Sequence, residues 1–120
     1  MYIILIGLFI KHFFADFVFQ TPYQYLNKGN LNHPGGYLHA GIHALLSFLV
    51  ISYVFVPNLY ILFLVILEFV IHYWMDFTKV NVCKKKEYTP TTSEKWFWWL
   101  GFDQTIHSLT YILIIAMLGF

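Results

Sequence analysis

The sequence predicts an all-α integral membrane protein, a four-helix bundle built from two helical hairpins that are related by a pseudo-twofold axis. Hydrophobic residues make up 59% of its 120 residues and charged residues only 11%, against roughly 45–50% and 25% in soluble domains. Four apolar segments each approach the ~20 residues that a membrane helix needs. The two hairpins, about 1–56 and 59–119, also repeat the same short motifs.

The four predicted spans form a single transmembrane domain, 1–120. The first span is 1–20; it lacks a basic n-region and an A-x-A-like cleavage site, so we expect mature protein and not a signal peptide. The second and third, 38–56 and 59–77, meet at a tight turn, Pro57-Asn58, which predicts an antiparallel hairpin. The fourth covers roughly 95–119.

Two long polar loops join the remaining spans. The first is rich in turn formers and is predicted to end at 34–36. The second, TKVNVCKKKEYTPTTSEK, ends in a possible capping box, 91–94, which predicts that the fourth helix starts near residue 92. Cys83 is the only cysteine, so no internal disulfide can form. We expect an incidental loop thiol; a reactive or metal-binding cysteine is the alternative.

The lysines predict the orientation of the chain. The short turn and both termini carry no lysine, whereas six of the seven lysines lie in or beside the two long loops: Lys28, Lys79, Lys84, Lys85, Lys86 and Lys95. By the positive-inside rule, the protein is a multi-pass protein of the plasma (inner) membrane with cytoplasmic long loops and both termini outside.

Short motifs recur in the two halves. HFFADF (12–17) matches HYWMDF (72–77), and HAGIHAL (39–45) matches DQTIHSL (103–109). Both halves begin in the same direction, so the predicted pseudo-twofold axis runs along the membrane normal. We interpret the pattern as an internal duplication.

Four histidine or aspartate pairs lie within the spans, each at i, i+4 and therefore on one helix face. They come late in spans one and three and early in spans two and four, so all eight residues lie toward one leaflet. An aspartate in lipid costs about 2.5–3.5 kcal/mol on insertion scales, which favours convergence on one site. The residues are His12, Asp16, His39, His43, His72, Asp76, Asp103 and His107.

Imidazole and carboxylate together predict a transition-metal site with one or two ions, zinc first and then Mn, Fe, Ni or Co. Five histidines are not typical of calcium or magnesium. The alternative is a metal-free His–Asp network that locks the bundle. Lys11 lies about 100° around the helix from His12; it could snorkel, so it need not be the partner of the site.

Several neighbours are candidates for other roles. Glu68 is the predicted catalytic general base; a third ligand, a proton relay or a protonated core residue are alternatives. Gln20, Gln104 and Lys79 are candidates for binding substrate or orienting a ligand. Lysines of the long loops, Lys28 and 84–86, could attract an anionic headgroup, although topology alone would place them there.

The motif order H-x3-D-F-x2-Q, H-x3-H-x-L, H-x3-D and D-Q-x2-H resembles a family of short bacterial and phage membrane proteins of unknown function. The H-x3-H-[AS]-L piece is also similar to the helix motif of the SOS-regulated membrane-bound metal-dependent hydrolases, which implies a hydrolase by analogy. The basic motif residues of that second family have no counterpart here, because this chain has no arginine.

The sequence therefore favours a membrane-bound metal-dependent hydrolase acting on a phospholipid or isoprenoid phosphate. The alternatives are a divalent metal or proton transporter, a di-iron or haem redox protein, and a non-catalytic membrane interaction protein. Expected partners are membrane lipids and a second copy of the chain in a homodimer; no nucleic-acid partner is expected.

Overall fold

The computed structural model describes residues 1–120, and all of its regular secondary structure is helical, without strands. By length and composition, three of its helices can cross a membrane, which confirms an all-α membrane protein. In chain order the elements are α1 (Tyr2–Phe13), a π-helical turn (Phe14–Val18), α2 (Pro22–Tyr25), α3 (Pro34–Ser52), α4 (Leu59–Lys85) and α5 (Glu94–Met117). The three helices that can span are α3, α4 and α5.

The predicted first span is not one regular helix. Helix α1 has only 12 residues and passes directly into the five-residue π-helical turn, which contains Asp16. Such turns are rare and are frequent at functional sites. The matching motif HYWMDF lies inside the regular helix α4. The two motifs are therefore alike in sequence but different in local structure.

Helix α3 begins at Pro34, four residues before the predicted start. Proline suits the first helical position, and the His33 side chain caps the helix by accepting a 3.0 Å hydrogen bond from the Gly35 amide. A Cβ at Gly35 would lie 2.2 Å from the Tyr23 carbonyl oxygen, so the first turn packs tightly on the preceding segment. The prediction that 34–36 ends a loop is therefore wrong.

The second long loop is shorter than predicted, because α4 continues to Lys85. Helix α5 starts at Glu94, and Ser93 is its N-cap, with a hydroxyl that accepts from the Lys95 amide at 3.2 Å. The predicted start near residue 92 is thus two residues early. Cys83 lies in the last turns of α4 and is buried, so the prediction of a loop thiol is also wrong.

The apolar core occupies one end of the molecule. It combines the start of α1 and α4 with the end of α3 and α5, for example Leu8, Leu64 and Ile114. The opposite ends of these helices carry the histidines and aspartates. Between lipid-facing helices such packing stabilises through van der Waals contact and not through exclusion of water. The fold therefore separates an apolar half from a polar half.

Candidate metal centre

The structure brings all eight predicted histidines and aspartates together in the polar half, between α1 with its π-helical turn, α3, α4 and α5. The most exposed of them, His12, is only 8% exposed, and His43 is completely buried. Buried polar groups normally find partners, so the contacts of each side chain indicate what it can do.

A first group of possible ligands surrounds Asp16. One donor atom from each of Asp16, His39, His43 and His72 lies within 4.8 Å of the others. The Oδ1 atom of Asp16 is 3.1 Å from Nε2 of both His39 and His43. Three imidazoles and one carboxylate form a donor set that suits zinc and related ions.

A second group consists of His72, Asp76 and His107, whose donor atoms also lie within 4.8 Å of one another. The His72 and His107 rings stack with their centroids 3.9 Å apart. Asp76 places Oδ2 3.4 Å from His72 Nε2 and Oδ1 3.6 Å from His107 Nε2. His72 therefore belongs to both groups.

Several buried donor atoms in these groups have no hydrogen-bond partner. Both ring nitrogens of His72 and Nε2 of His39 and His107 make no hydrogen bond of acceptable geometry, although aspartate oxygens lie 3.0 to 3.4 Å from the three Nε2 atoms. Unsatisfied buried atoms are costly and uncommon. Here they are the atoms that a bound cation would use, so the residues fit a metal ion.

His12 lies outside both groups, because other side chains occupy its two ring nitrogens. Its Nδ1 is 2.7 Å from the Tyr111 hydroxyl, and its Nε2 is 2.8 Å from Gln104 Oε1 and 3.0 Å from Asp16 Oδ2. The Tyr111 hydroxyl can donate to Nδ1, while Nε2–H donates to the two oxygens. His12 thus orients the Asp16 carboxylate through Oδ2 and is not itself a member of either ligand group.

Asp103 also lies outside the two groups. Its Oδ1 is 3.0 Å from His107 Nε2, and its Oδ2 accepts from Lys79 Nζ at 2.6 Å. Gln104 donates to Asp103 at 3.3 Å and to Asp16 at 3.1 Å, and so connects the two halves of the centre. Both predicted neighbours, Lys79 and Gln104, are therefore in the centre.

Gln20, the third predicted neighbour, contacts the backbone beside the centre. Its amide donates to the backbone carbonyl of Asp16 at 2.7 Å and makes no hydrogen bond to the carboxylate. It therefore stabilises the π-helical turn, and it influences Asp16 only through the backbone.

Two residues of the first long loop are buried at the centre and were not predicted to orient or pair with ligands. Gln24 of α2 places Oε1 3.2 Å from His39 Nδ1, a contact that fixes the orientation of the ring. Lys28 is 6% exposed and its Nζ lies 2.9 Å from Asp76 Oδ2. The sequence carries no local signal for their burial, because it depends on contacts with distant helices.

Lys11 does not snorkel, although the sequence allowed it to. Its side chain points inward, pairs with Glu68 and donates to the backbone carbonyl of His43 at 3.1 Å. An isolated Glu68 in the interior would be expensive, and pairing offsets much of that cost. Glu68 Oε2 remains without a hydrogen-bond partner. Its role as general base stays a prediction.

Comparisons with known proteins give a family but no activity. A family model described as "Protein of unknown function (DUF3307)" matches residues 4–120. No curated protein and no solved structure matches the chain. The resemblance to the metal-dependent hydrolases stays a prediction, whereas the predicted family of unknown function is confirmed. With nearly its whole length matched, the chain belongs to the DUF3307 family.

Proposed function

We propose that this chain is a membrane-embedded metal-dependent enzyme that hydrolyses an amphipathic phosphate substrate, a phospholipid or an isoprenoid phosphate. One observation carries the proposal: buried histidines and aspartates from separate helices meet in two ligand groups that share His72. A transition metal bound there, zinc first and then Mn, Fe, Ni or Co, would supply a water of lowered pKa and polarise the scissile oxygen.

The surrounding side chains can hold these ligands in place. Gln24 orients His39 and His12 orients Asp16. Asp103 contacts Nε2 of His107. Contacts of this kind keep ring and carboxylate positions fixed and tune ligand basicity. Glu68 is the proposed general base: Lys11 pairs with Oε1, which leaves Oε2 available to accept a proton.

An anionic substrate is supported by the charges at the centre. Lys28 and Lys79 approach Asp76 and Asp103 from the polar end of the bundle. Once a metal ion neutralises part of the carboxylate charge, these ammonium groups favour a phosphate group on the substrate. Large exposed apolar side chains on the helices, such as Phe13 and Trp98, suit the lipid tails.

The membrane placement is part of the proposal. Segment 2–18 would join α3, α4 and α5 as a fourth span, and the two hairpins would share a pseudo-twofold axis. The centre would open toward the cytoplasmic leaflet of the plasma membrane, with both termini outside. The lysines in the long loops support this orientation. A homodimer remains compatible with four spans.

The distribution of buried residues favours an enzyme over a transporter. A transported ion would need polar groups along the whole path through the bilayer. The half of the bundle opposite the centre is filled by nine buried apolar residues, including Ile4, Leu64 and Ile114. This sealed half supports chemistry at one leaflet.

Turnover in proteoliposomes tests the proposal. Protein purified without chelator and loaded with Zn²⁺ would be mixed with vesicles that contain phospholipids or isoprenoid phosphates, and released phosphate or headgroup would be measured. We expect turnover that Asp16→Asn abolishes. Metal flux into the vesicles without turnover of any lipid would contradict hydrolysis and favour transport, and a visible absorption band would favour an iron or haem redox protein.

A further inference from the structure

The two ligand groups have similar donors but different neighbouring cations. The carboxylate of Asp16 contacts the imidazoles of His12, His39 and His43 and the amide of Gln104, and no lysine nitrogen lies within 4.0 Å of it. The Asp16 carboxylate can therefore bind a metal ion while it keeps its contacts to these neutral side chains.

The carboxylate of Asp76 has one ammonium group in contact with one oxygen and a second ammonium group near the other. Lys28 Nζ is 2.9 Å from Oδ2, and Lys79 Nζ is 4.0 Å from Oδ1. Lys79 also lies 2.6 Å from Asp103 Oδ2, so the two lysines cover both carboxylates of this half. A cation at hydrogen-bond distance from a ligand oxygen repels a metal ion at the same oxygen.

His72, which both groups share, further weakens the second group as a metal site. His72 is a member of both groups. If an ion bound at Asp16 uses His72, the second group keeps only Asp76 and His107. Two donors are fewer than the three protein ligands of a typical catalytic site.

The net charge of the centre also favours one metal ion over two. With neutral imidazoles, the three aspartates and the two lysines Lys28 and Lys79 leave one net negative charge, and the Lys11–Glu68 pair cancels. One divalent ion changes this to one positive charge, and a second ion would change it to three. Uncompensated charge is expensive in a buried site.

We propose that the centre holds one tightly bound divalent transition-metal ion, at Asp16, His39, His43 and His72, and that Lys28 and Lys79 stand in place of a second ion at Asp76. The inference rests on the proposed metal centre and makes it mononuclear. The sequence repeat is then preserved in the ligand residues, while the group around Asp76 binds no metal ion of its own.

Metal titration of lysine variants tests this assignment. Metal-depleted full-length protein in detergent would be titrated with Zn²⁺ by calorimetry and with Co²⁺ by visible absorption. We expect one tight ion per chain in the wild type. In Lys28→Met/Lys79→Met, loss of both ammonium groups should tighten binding of a second ion by about tenfold or more.

Two matched variants control for charge and for folding. Lys28→Arg/Lys79→Arg keeps both cations, and Lys84→Met/Lys85→Met removes the same charge from exposed positions at the end of α4, the helix that carries Lys79. Both should keep the wild-type stoichiometry. Two ions of similar affinity in the wild type, or an unchanged second affinity in the lysine-to-methionine variant, would overturn the assignment.

The aspartates give a second measurement if the double methionine variant does not fold. Asp16→Asn should lose the tight ion, and Asp76→Asn should keep it within about tenfold; equal loss in both variants would overturn the assignment. One ion without lipid turnover would contradict the proposed hydrolysis and leave this inference intact. Two ions per chain together with lipid turnover would overturn this inference and leave the proposed hydrolysis intact.

Discussion

Each buried charged side chain in this protein lies against an opposite charge or an imidazole. Lys11 pairs with Glu68, Lys28 with Asp76, and Asp16 with three histidines, although all of these residues are at most 8% exposed. The helix interiors supply few other polar groups, so each partner is difficult to replace. Removal of a single partner should therefore be more harmful than removal of both.

The Lys11–Glu68 pair gives the clearest case. Lys11→Met should destabilise the protein by about 3–5 kcal/mol, because it leaves Glu68 charged and unpaired in the interior. Lys11→Met/Glu68→Leu should recover most of that loss. Thermal unfolding in detergent would measure both changes. Equal destabilisation by the single and double variants would show that the pair does not interact as described.

Gln24 should affect metal affinity through His39. Gln24→Leu removes the 3.2 Å contact to His39 Nδ1, and loss of such an orienting contact typically weakens metal binding about 10–100-fold. Asn32→Ala, an exposed amide in the same loop, is the matched control and should bind zinc like the wild type. Equal affinity of Gln24→Leu and Asn32→Ala would rule out an orienting role for Gln24.

At the scale of elements, the ends of helices decide how the site is closed. The polar segment between α1 and α3 folds over the centre because Pro34 starts α3 early and Gly35 allows its first turn to approach Tyr23. That close packing carries Gln24 and Lys28 into the interior. Turn-forming composition predicted a loop here but not its burial, because burial depends on contacts with distant helices.

Gly35→Ala should disrupt this closure. The added Cβ would lie 2.2 Å from the Tyr23 carbonyl oxygen, so the backbone must move and Lys28 must shift from Asp76. We expect a lower unfolding temperature and weaker zinc binding. Gly101→Ala, where a Cβ has no neighbour within 4 Å, should be neutral or stabilise α5 by about 0.5–1 kcal/mol. Equal stability of the two variants would contradict the tight packing.

At the scale of the whole molecule, the sequence predicted the helical membrane class and the clustering of polar groups at one end. Both follow from hydropathy and from four-residue spacing, which are local properties of the chain. The π-helical turn at Asp16, the inward Lys11 and the ion pair of Lys28 could not be predicted. They depend on which side chains from distant segments meet, and HFFADF and HYWMDF do not differ in any way that reveals it.

Labelling of single cysteines tests the proposed orientation. In a Cys83→Ala background, Thr91→Cys lies in the long loop and Val56→Cys in the short turn. We expect a membrane-impermeant maleimide to label Val56→Cys in intact cells and Thr91→Cys only after the membrane is opened. The reverse pattern would invert the topology and move the centre to the outer leaflet.

The metal content of the purified protein tests the central claim most directly. After purification in detergent without chelator, the metals in the protein peak would be measured by mass spectrometry and compared with those of Asp16→Asn. The metal centre described here predicts one transition-metal ion per wild-type chain and loss of that ion in the variant. A wild-type chain that retains no metal, and that is not stabilised by added zinc, would contradict the account.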